Sequence, residues 1–98
     1  MDVTHVFQGI RFVWDRRKAL ANLRKHGVPF EEAWEVFFDP FVHVVTEHEK
    51  NGEVREAAIG ITKGWLLLYV VFVIRGETIR IISARRSTRS ERKRYEDG

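Results

Sequence analysis

The segment Trp65–Ile74, with the sequence WLLLYVVFVI, constrains the fold more than any other part of the chain. It is apolar at odd and even positions alike, which is typical of a strand buried on both faces. Short turn segments, Lys63–Gly64 and Arg75–Glu77, bound it on either side. We therefore expect the central strand of a sheet that other elements cover on both sides.

The second half of the chain has a period of two in its apolar residues, and the Asn-Gly pair within Glu49–Glu53 is a strong hairpin signal. The strands expected besides Trp65–Ile74 are Ile10–Trp14, Phe41–Val45, Arg55–Thr62 and Thr78–Ala84.

A first helix is predicted from about Arg16 to His26. Asp15 has the chemistry of an N-cap, since its carboxylate can accept the free N–H groups of the first turn. Gly27 ends the helix because it adopts the left-handed conformation easily. We expect Leu20 and Leu23 on the apolar stripe of this helix.

A second helix is predicted for Phe30–Phe38, where apolar residues recur at helical spacing before Asp39–Pro40 ends the pattern. Ser87 or Thr88 can cap a last helix, and Glu91 completes a capping box with Thr88.

These elements predict an α+β fold in the order β-α-α-β-β-β-β-α. We expect a small antiparallel sheet of about four to five strands, with two helices in the N-terminal half and one at the C-terminus. A chain of 98 residues is expected to form one domain, residues 1–98. Residues 1–9 lie outside the pattern and are expected to form a loosely ordered extension.

Charge is distributed unevenly along the chain. Between Phe30 and Glu56 there are eight acidic residues and two basic ones, whereas between Arg75 and Arg94 there are eight basic and two acidic. This asymmetry predicts an anionic partner for the basic end, nucleic acid above all, although a solvated helix face gives the same composition. Cysteine and long apolar runs are absent, which favours a cytoplasmic protein without a membrane span.

The basic residues near the C-terminus favour a structured site over a loose tail. Arg80 is expected to project from the last strand on the face opposite Ile79 and Ile81, and Arg85 and Arg86 fall at the strand-to-helix junction. Basic residues continue on the last helix at Arg89, Arg92 and Lys93, followed by Tyr95.

Two further groups of residues are candidate sites. Lys25 and His26 can favour the negative end of the first helix, or they can form a titratable pair. His43 and His48 lie among acidic residues, but on a regular strand they point to opposite faces. We therefore expect no metal site and no cofactor.

A set of Arg, Lys, His and Tyr side chains suits the cleavage of RNA, because RNA supplies its own nucleophile, the 2′-OH. The candidates for proton transfer are Lys25, His26 and Tyr95, and those for holding the phosphate are Arg80, Arg85 and Arg86.

The chain resembles the BrnT family of type II toxins, in the RelE-like ribonuclease superfamily. The segments that carry the resemblance are FVWDRRKALANLRKHGVPFEEAWEVFFDP at Phe12–Pro40, AAIGIT at Ala57–Thr62 and IRIISARRSTRSERKRYE at Ile79–Glu96.

The resemblance implies a RelE-like fold and a metal-independent endoribonuclease that arrests growth. It implies an RNA substrate and a BrnA-type antitoxin as partners, with operator DNA bound only through the antitoxin complex. It places catalytic roles on Lys25, His26, Arg80, Arg85, Arg86 and Tyr95, and RNA binding on Lys18, Arg24, Arg89, Arg92 and Lys93. Glu91 is expected to be a structural partner of the arginines. The alternative is a non-catalytic module that binds nucleic acid or the antitoxin and acts in operon autoregulation.

Overall fold

A computed structural model describes residues 1–98 as one six-stranded sheet with three α-helices and a 3₁₀ helix. The strands are β1 (Asp2–Phe7), β2 (Ile10–Asp15), β3 (His43–Lys50), β4 (Glu53–Ile61), β5 (Leu67–Arg75) and β6 (Thr78–Arg86). The helices are α1 (Arg16–His26), α2 (Phe30–Ala33), the 3₁₀ helix (Trp34–Phe38) and α3 (Arg89–Asp97).

The sheet has the strand order β1-β2-β6-β5-β4-β3. All neighbouring pairs are antiparallel except β2 and β6, which are parallel. β5 lies in the interior of the sheet, and its side chains are buried on both faces from Leu67 to Val70. The prediction of an interior strand covered on both sides is therefore confirmed for Leu67–Val70. The predicted bounds are wrong at the start, since Trp65 and Leu66 precede the strand and Trp65 is exposed.

Two helical layers cover the two faces of the sheet. On the face that we call the helix face, α1, α2 and the 3₁₀ helix pack over a cluster that includes Phe12, Trp14, Leu68 and Ile81. On the opposite face, which we call the α3 face, Tyr95 of α3 packs on a smaller buried cluster. The members of that cluster are Ala57, Ile59, Leu67 and Tyr69.

α1 begins and ends where the sequence predicts. The Asp15 carboxylate accepts a hydrogen bond from the Lys18 N–H at 3.0 Å, and Gly27 has a φ of 72°. The predicted apolar stripe is wrong, however, since Leu20 and Leu23 are 49% and 43% exposed. The buried residue of α1 is Asn22, because hydrogen bonds to the neighbouring backbone turn this side of the helix toward the sheet.

The segment predicted as the second helix changes its winding after one turn. α2 spans Phe30–Ala33, and the tighter 3₁₀ helix continues to Phe38. A nine-residue segment is too short for a stable isolated α-helix, so tertiary packing decides its winding. Trp34 and Val36 of the 3₁₀ helix are both buried.

The N-terminal residues correct two expectations. Asp2–Phe7 are not a loosely ordered extension, because they form β1 and pair with β2 along six residue pairs. Val3 and Phe7 pack against the main core, and the His5 ring lies 4.4 Å from the Trp34 ring. The sheet thus has six strands instead of four to five. None of the helices has both the length and the apolar character that a membrane span requires.

The 3₁₀ helix approaches β4 closely at Gly60, and this contact generates a prediction. A Cβ added at Gly60 meets the Val36 Cβ and carbonyl oxygen at 2.9 Å. Gly60→Ala should therefore lower the free energy of unfolding by about 1–3 kcal/mol, as overpacking does.

Gly64→Ala is the matched control, since the nearest atom to its added Cβ is the Thr62 Oγ1 at 3.7 Å. Urea unfolding followed by circular dichroism measures both variants. Equal stability of the Gly60→Ala variant and the wild type would contradict the close contact.

Candidate active site

A β-bulge in β6 decides where its arginines point. Val71 pairs with Ser83 and Phe72 pairs with Ile81, so Ile82 is an extra residue without a partner. Because a bulge shifts the alternation by one residue, Arg80 and Arg85 lie on the same face of the sheet although five positions separate them. This is the α3 face, and Arg80 is opposite Ile79 and Ile81 as predicted.

Arg80 is engaged in an ion pair with β1. Its Nη2 lies 2.5 Å from the Asp2 carboxylate, and its Nη1 lies 3.4 Å from the other Asp2 oxygen. On β5 the partners of Arg80 and Arg85 are Val73 and Tyr69, four residues apart, which is about 13 Å. Arg80 is therefore well separated from the end of β6 where the other candidates lie.

Arg85 holds α3 against the sheet. Both of its terminal nitrogens donate to Glu91 at 2.8 Å, and its guanidinium carbon lies 4.3 Å from the centre of the Tyr69 ring. Glu91 also closes the capping box of α3 by accepting from the Thr88 N–H at 2.9 Å. The expectation that Glu91 is a structural partner of an arginine is confirmed by this geometry.

The charges of this cluster shift several pKa values. Partial burial favours the protonated form of Glu91, but hydrogen bonds from Arg85 and the Thr88 N–H outweigh it and lower the Glu91 pKa. The bond to Glu91 raises the Arg85 pKa above its ordinary value. Burial, together with a hydrogen bond that the hydroxyl donates to Glu47, raises the Tyr69 pKa to about 12.

Tyr95 anchors the other end of α3. Its hydroxyl donates to the Asp39 carboxylate at 2.6 Å, and the same carboxylate accepts from the N–H groups of Phe41 and Ile61. Burial opposes ionisation of Asp39, yet these three donors lower its pKa. Burial and the bond to Asp39 raise the Tyr95 pKa to about 12, so this phenol is protonated at neutral pH.

Asn22 brings the end of α1 to the end of β6. Its amide nitrogen donates to the carbonyl oxygens of Ala84 at 2.8 Å and Val28 at 3.0 Å, and its oxygen accepts from the Ala84 N–H at 3.1 Å. Sequence reasoning missed this residue, since a polar side chain in a basic helix gives no sign of burial. Asn22 lies in KALANLRKHGV, which is part of a segment that carries the family resemblance. That position is the one sequence signal that could have identified Asn22.

The attachment of Asn22 to β6 also determines where Lys25 and His26 lie. His26 lies four residues after Asn22, about 6 Å further along the same side of α1. Arg86 lies two residues after Ala84, about 6.6 Å further along β6, and it pairs with Leu68 on the helix face. Lys25 and His26 therefore lie within one helical turn of the Asn22 contact with β6, and Arg86 lies two residues beyond that contact on the strand.

The sheet divides the predicted catalytic residues into two groups. Lys25, His26 and Arg86 lie on the helix face, whereas Arg80, Arg85 and Tyr95 lie on the α3 face and have carboxylate partners.

The residues predicted to bind RNA lie on two helices. Lys18 and Arg24 are exposed on α1, and Arg89, Arg92 and Lys93 are exposed on α3. Arg92 and Lys93 each lie 3.8 Å from an acidic residue of their own helix. Arg89 at the start of α3 has no such ion pair and is the member of this set nearest to Arg86 along the chain.

The two histidines of β3 correct another expectation. A bulge at Glu47 makes His48 the partner of Arg55, while His43 pairs with Ile59, so the two histidines share the α3 face. Their β4 partners are four residues apart, about 13 Å, which is too far for one metal ion. No group of three or more His, Asp or Glu side chains is arranged to hold a metal.

The ion pair between Arg85 and Glu91 predicts how stability depends on pH. Because folding lowers the Glu91 pKa, its contribution is complete above the value of an unfolded glutamate, 4.5, and is lost as the pH falls through the folded-state value. Glu91→Gln should destabilise the protein at pH 7, and the difference from the wild type should shrink below about pH 4.5.

Glu96→Gln is the control. Glu96 is exposed, and its ion pair with Arg92 of the same helix is long, at 3.8 Å, so its loss should change stability little. Thermal unfolding by circular dichroism between pH 7 and pH 3 measures the three proteins. A constant difference between Glu91→Gln and the wild type over this range would refute the role of the ionised carboxylate.

Comparisons with known proteins agree with this architecture. A family model described as "Ribonuclease toxin, BrnT, of type II toxin-antitoxin system" matches residues 14–91. The crystal structure of the Brucella abortus ribonuclease toxin BrnT is similar, with a TM-score of 0.62 and 29% sequence identity over 78% of this chain and 94% of that chain. No curated protein sequence matches the chain significantly. Because the family model covers most of the chain, from β2 to α3, the protein belongs to the BrnT family of ribonuclease toxins of type II toxin-antitoxin systems.

Proposed function

We propose that the chain is a metal-independent endoribonuclease whose reacting groups are Lys25, His26 and Arg86. The observation that carries the proposal is the set of three hydrogen bonds between Asn22 and the backbone, which aligns the end of α1 with the end of β6. None of these three side chains has an ion pair within the chain. The positive charges of Lys25 and Arg86 are therefore available to a phosphate.

The proposed reaction is an internal transfer of the phosphodiester. The RNA 2′-oxygen bonds to the adjacent phosphorus, the bond from phosphorus to the 5′-oxygen breaks, and a 2′,3′-cyclic phosphate and a 5′-hydroxyl result. His26 accepts the 2′-OH proton as the general base. Lys25 donates a proton to the leaving oxygen, and Arg86 stabilises the charge that builds on the phosphate.

Arg85 and Tyr95 are assigned as positioning residues. The Arg85 guanidinium is occupied by Glu91 and the Tyr95 phenol by Asp39, so both side chains hold α3 in place. The raised pKa of Tyr95 makes it a poor base at neutral pH. Arg80 is paired with Asp2 and is not assigned to the reaction, and RNA binding is assigned to the exposed basic residues of α1 and α3.

The cellular role follows from the family. The chain is proposed to act as one RelE-like domain in the cytoplasm, where RNA cleavage arrests growth until an antitoxin binds. Type II antitoxins are proteins, and we propose a BrnA-type antitoxin that also carries the DNA contacts of the complex with the operator.

In vitro cleavage of a single-stranded RNA tests the assignment. His26→Ala should lower the cleavage rate by about 100-fold or more, as removal of a general base does, and Arg86→Ala by a similar factor. Arg11→Ala is the control, because Arg11 is an exposed arginine beside Thr78 at the opposite end of β6. The products should carry 2′,3′-cyclic phosphates, and the rate should be unchanged by EDTA.

Three outcomes would count against the proposal. Full activity of both His26→Ala and Arg86→Ala would refute the residue assignment. Loss of activity in EDTA would refute the metal-independent reaction. RNA that the wild type binds but never cuts would favour the non-catalytic module instead.

A further inference from the structure

Trp65 is exposed to an extent that the fold does not explain. Its side chain is 84% exposed, whereas Trp14 and Trp34 are 2% and 8% exposed. It lies in the turn between β4 and β5, directly after Lys63 and Gly64. An indole is the largest apolar side chain, so its exposure forgoes the burial that usually stabilises it.

The backbone at Trp65 is also unusual. Its φ is +63°, in the left-handed region that bulky residues rarely occupy, while the adjacent Gly64 does not take a positive φ. Strain of this kind persists where the surrounding structure enforces it, and it concentrates at functional positions. Because the exposed indole gains no packing, the side chain itself does not offset the strain.

Hydrogen bonds hold the turn rigid. The Thr62 N–H donates to the Leu66 carbonyl at 3.0 Å, and the Trp65 N–H donates to the Thr62 carbonyl at 3.0 Å. The Thr62 hydroxyl, itself buried, accepts from the Leu66 N–H at 3.3 Å, and Glu35 accepts from the Lys63 N–H at 2.9 Å. The indole therefore projects from a fixed base, which lowers the entropy cost of binding a ligand on it.

The turn lies at the same end of the sheet as Arg86, one of the proposed reacting groups. Leu67, two residues after Trp65, accepts a hydrogen bond from the Ser87 N–H at 3.0 Å, and Leu68 pairs with Arg86. Arg86 and Arg89 are both exposed and free of ion pairs. Exposed aromatic rings and cations on the same surface are the groups by which proteins bind single-stranded RNA.

We propose that Trp65 is a nucleobase-binding site, on which a base of single-stranded RNA next to the cleaved phosphate stacks. The proposal rests on the proposed ribonuclease function and adds a residue to it. Stacking accepts any base, because every base has a π face, so Trp65 sets the affinity for unpaired RNA more than the sequence that is cut. Paired RNA should bind less well, since its bases are not free to stack on the indole.

A binding experiment with uncleavable RNA tests the site. A single-stranded oligonucleotide with 2′-O-methyl groups has no nucleophile, so binding is measured without cleavage. Trp65 is the single exposed tryptophan, and stacking should quench its fluorescence. Trp65→Leu should weaken binding by about tenfold, the loss of one stacked base, whereas Trp65→Phe should retain most of the affinity.

A stability measurement separates this role from a structural one. Trp65→Gly removes both the ring and the cost of the positive φ. It should unfold at the same temperature as the wild type or higher, while its RNA affinity falls as in Trp65→Leu. A functional residue held under strain gives this combination, and a structural residue does not.

The outcomes that overturn the proposal are distinct from failure of the ribonuclease function. Wild-type affinity of Trp65→Leu for the oligonucleotide would refute stacking, as would wild-type protein that does not bind it. Normal RNA binding by Trp65→Leu with weakened antitoxin binding would show that the ring serves a protein partner instead. If the wild type binds and is quenched but cuts no RNA, the ribonuclease proposal fails and the stacking site stands.

Discussion

The buried amide of Asn22 is the interaction on which the arrangement of the other elements depends. It joins α1 to the backbone of β6 at Ala84 and to the connection that leads into α2 at Val28. A buried backbone group without a hydrogen-bond partner costs about 1–3 kcal/mol, so three satisfied bonds fix the register of α1 against β6 within narrow limits. The register of α1 against β6 in turn determines the positions of Lys25, His26 and Arg86.

The two β-bulges have an equally large effect on the surface. One extra residue at Ile82 places Arg80 and Arg85 on the same face of the sheet, and another at Glu47 does the same for His43 and His48. Glu47 thereby faces Tyr69, and its carboxylate accepts a hydrogen bond from the Tyr69 hydroxyl. A single unpaired residue in a strand thus moves every later side chain of that strand to the opposite face of the sheet from the one that regular alternation predicts.

The basic C-terminal region divides into residues that build the protein and residues that remain available. Arg85 is paired with Glu91 and packed on Tyr69, and Tyr95 is bonded to Asp39, so these groups attach α3 to the sheet at two points. Arg86 and Arg89, at the junction between β6 and α3, have no carboxylate partner. Trp65 adds an exposed aromatic ring to the same end of the sheet.

The sequence by itself determined the elements that depend on local chemistry. The limits of α1, set by Asp15 and Gly27, the hairpin turn before Glu53 and the capping box of α3 were all predictable, because caps and turns act within a few residues. The periodicity also identified β5 as the central strand. Tertiary structure alone decided the parallel pairing of β2 with β6, the incorporation of Asp2–Phe7 as β1, and the burial of Asn22 in place of Leu20 and Leu23. Each of these features depends on contacts between residues that are distant in sequence and that form only when the sheet is complete. A local sequence pattern carries no information about such contacts.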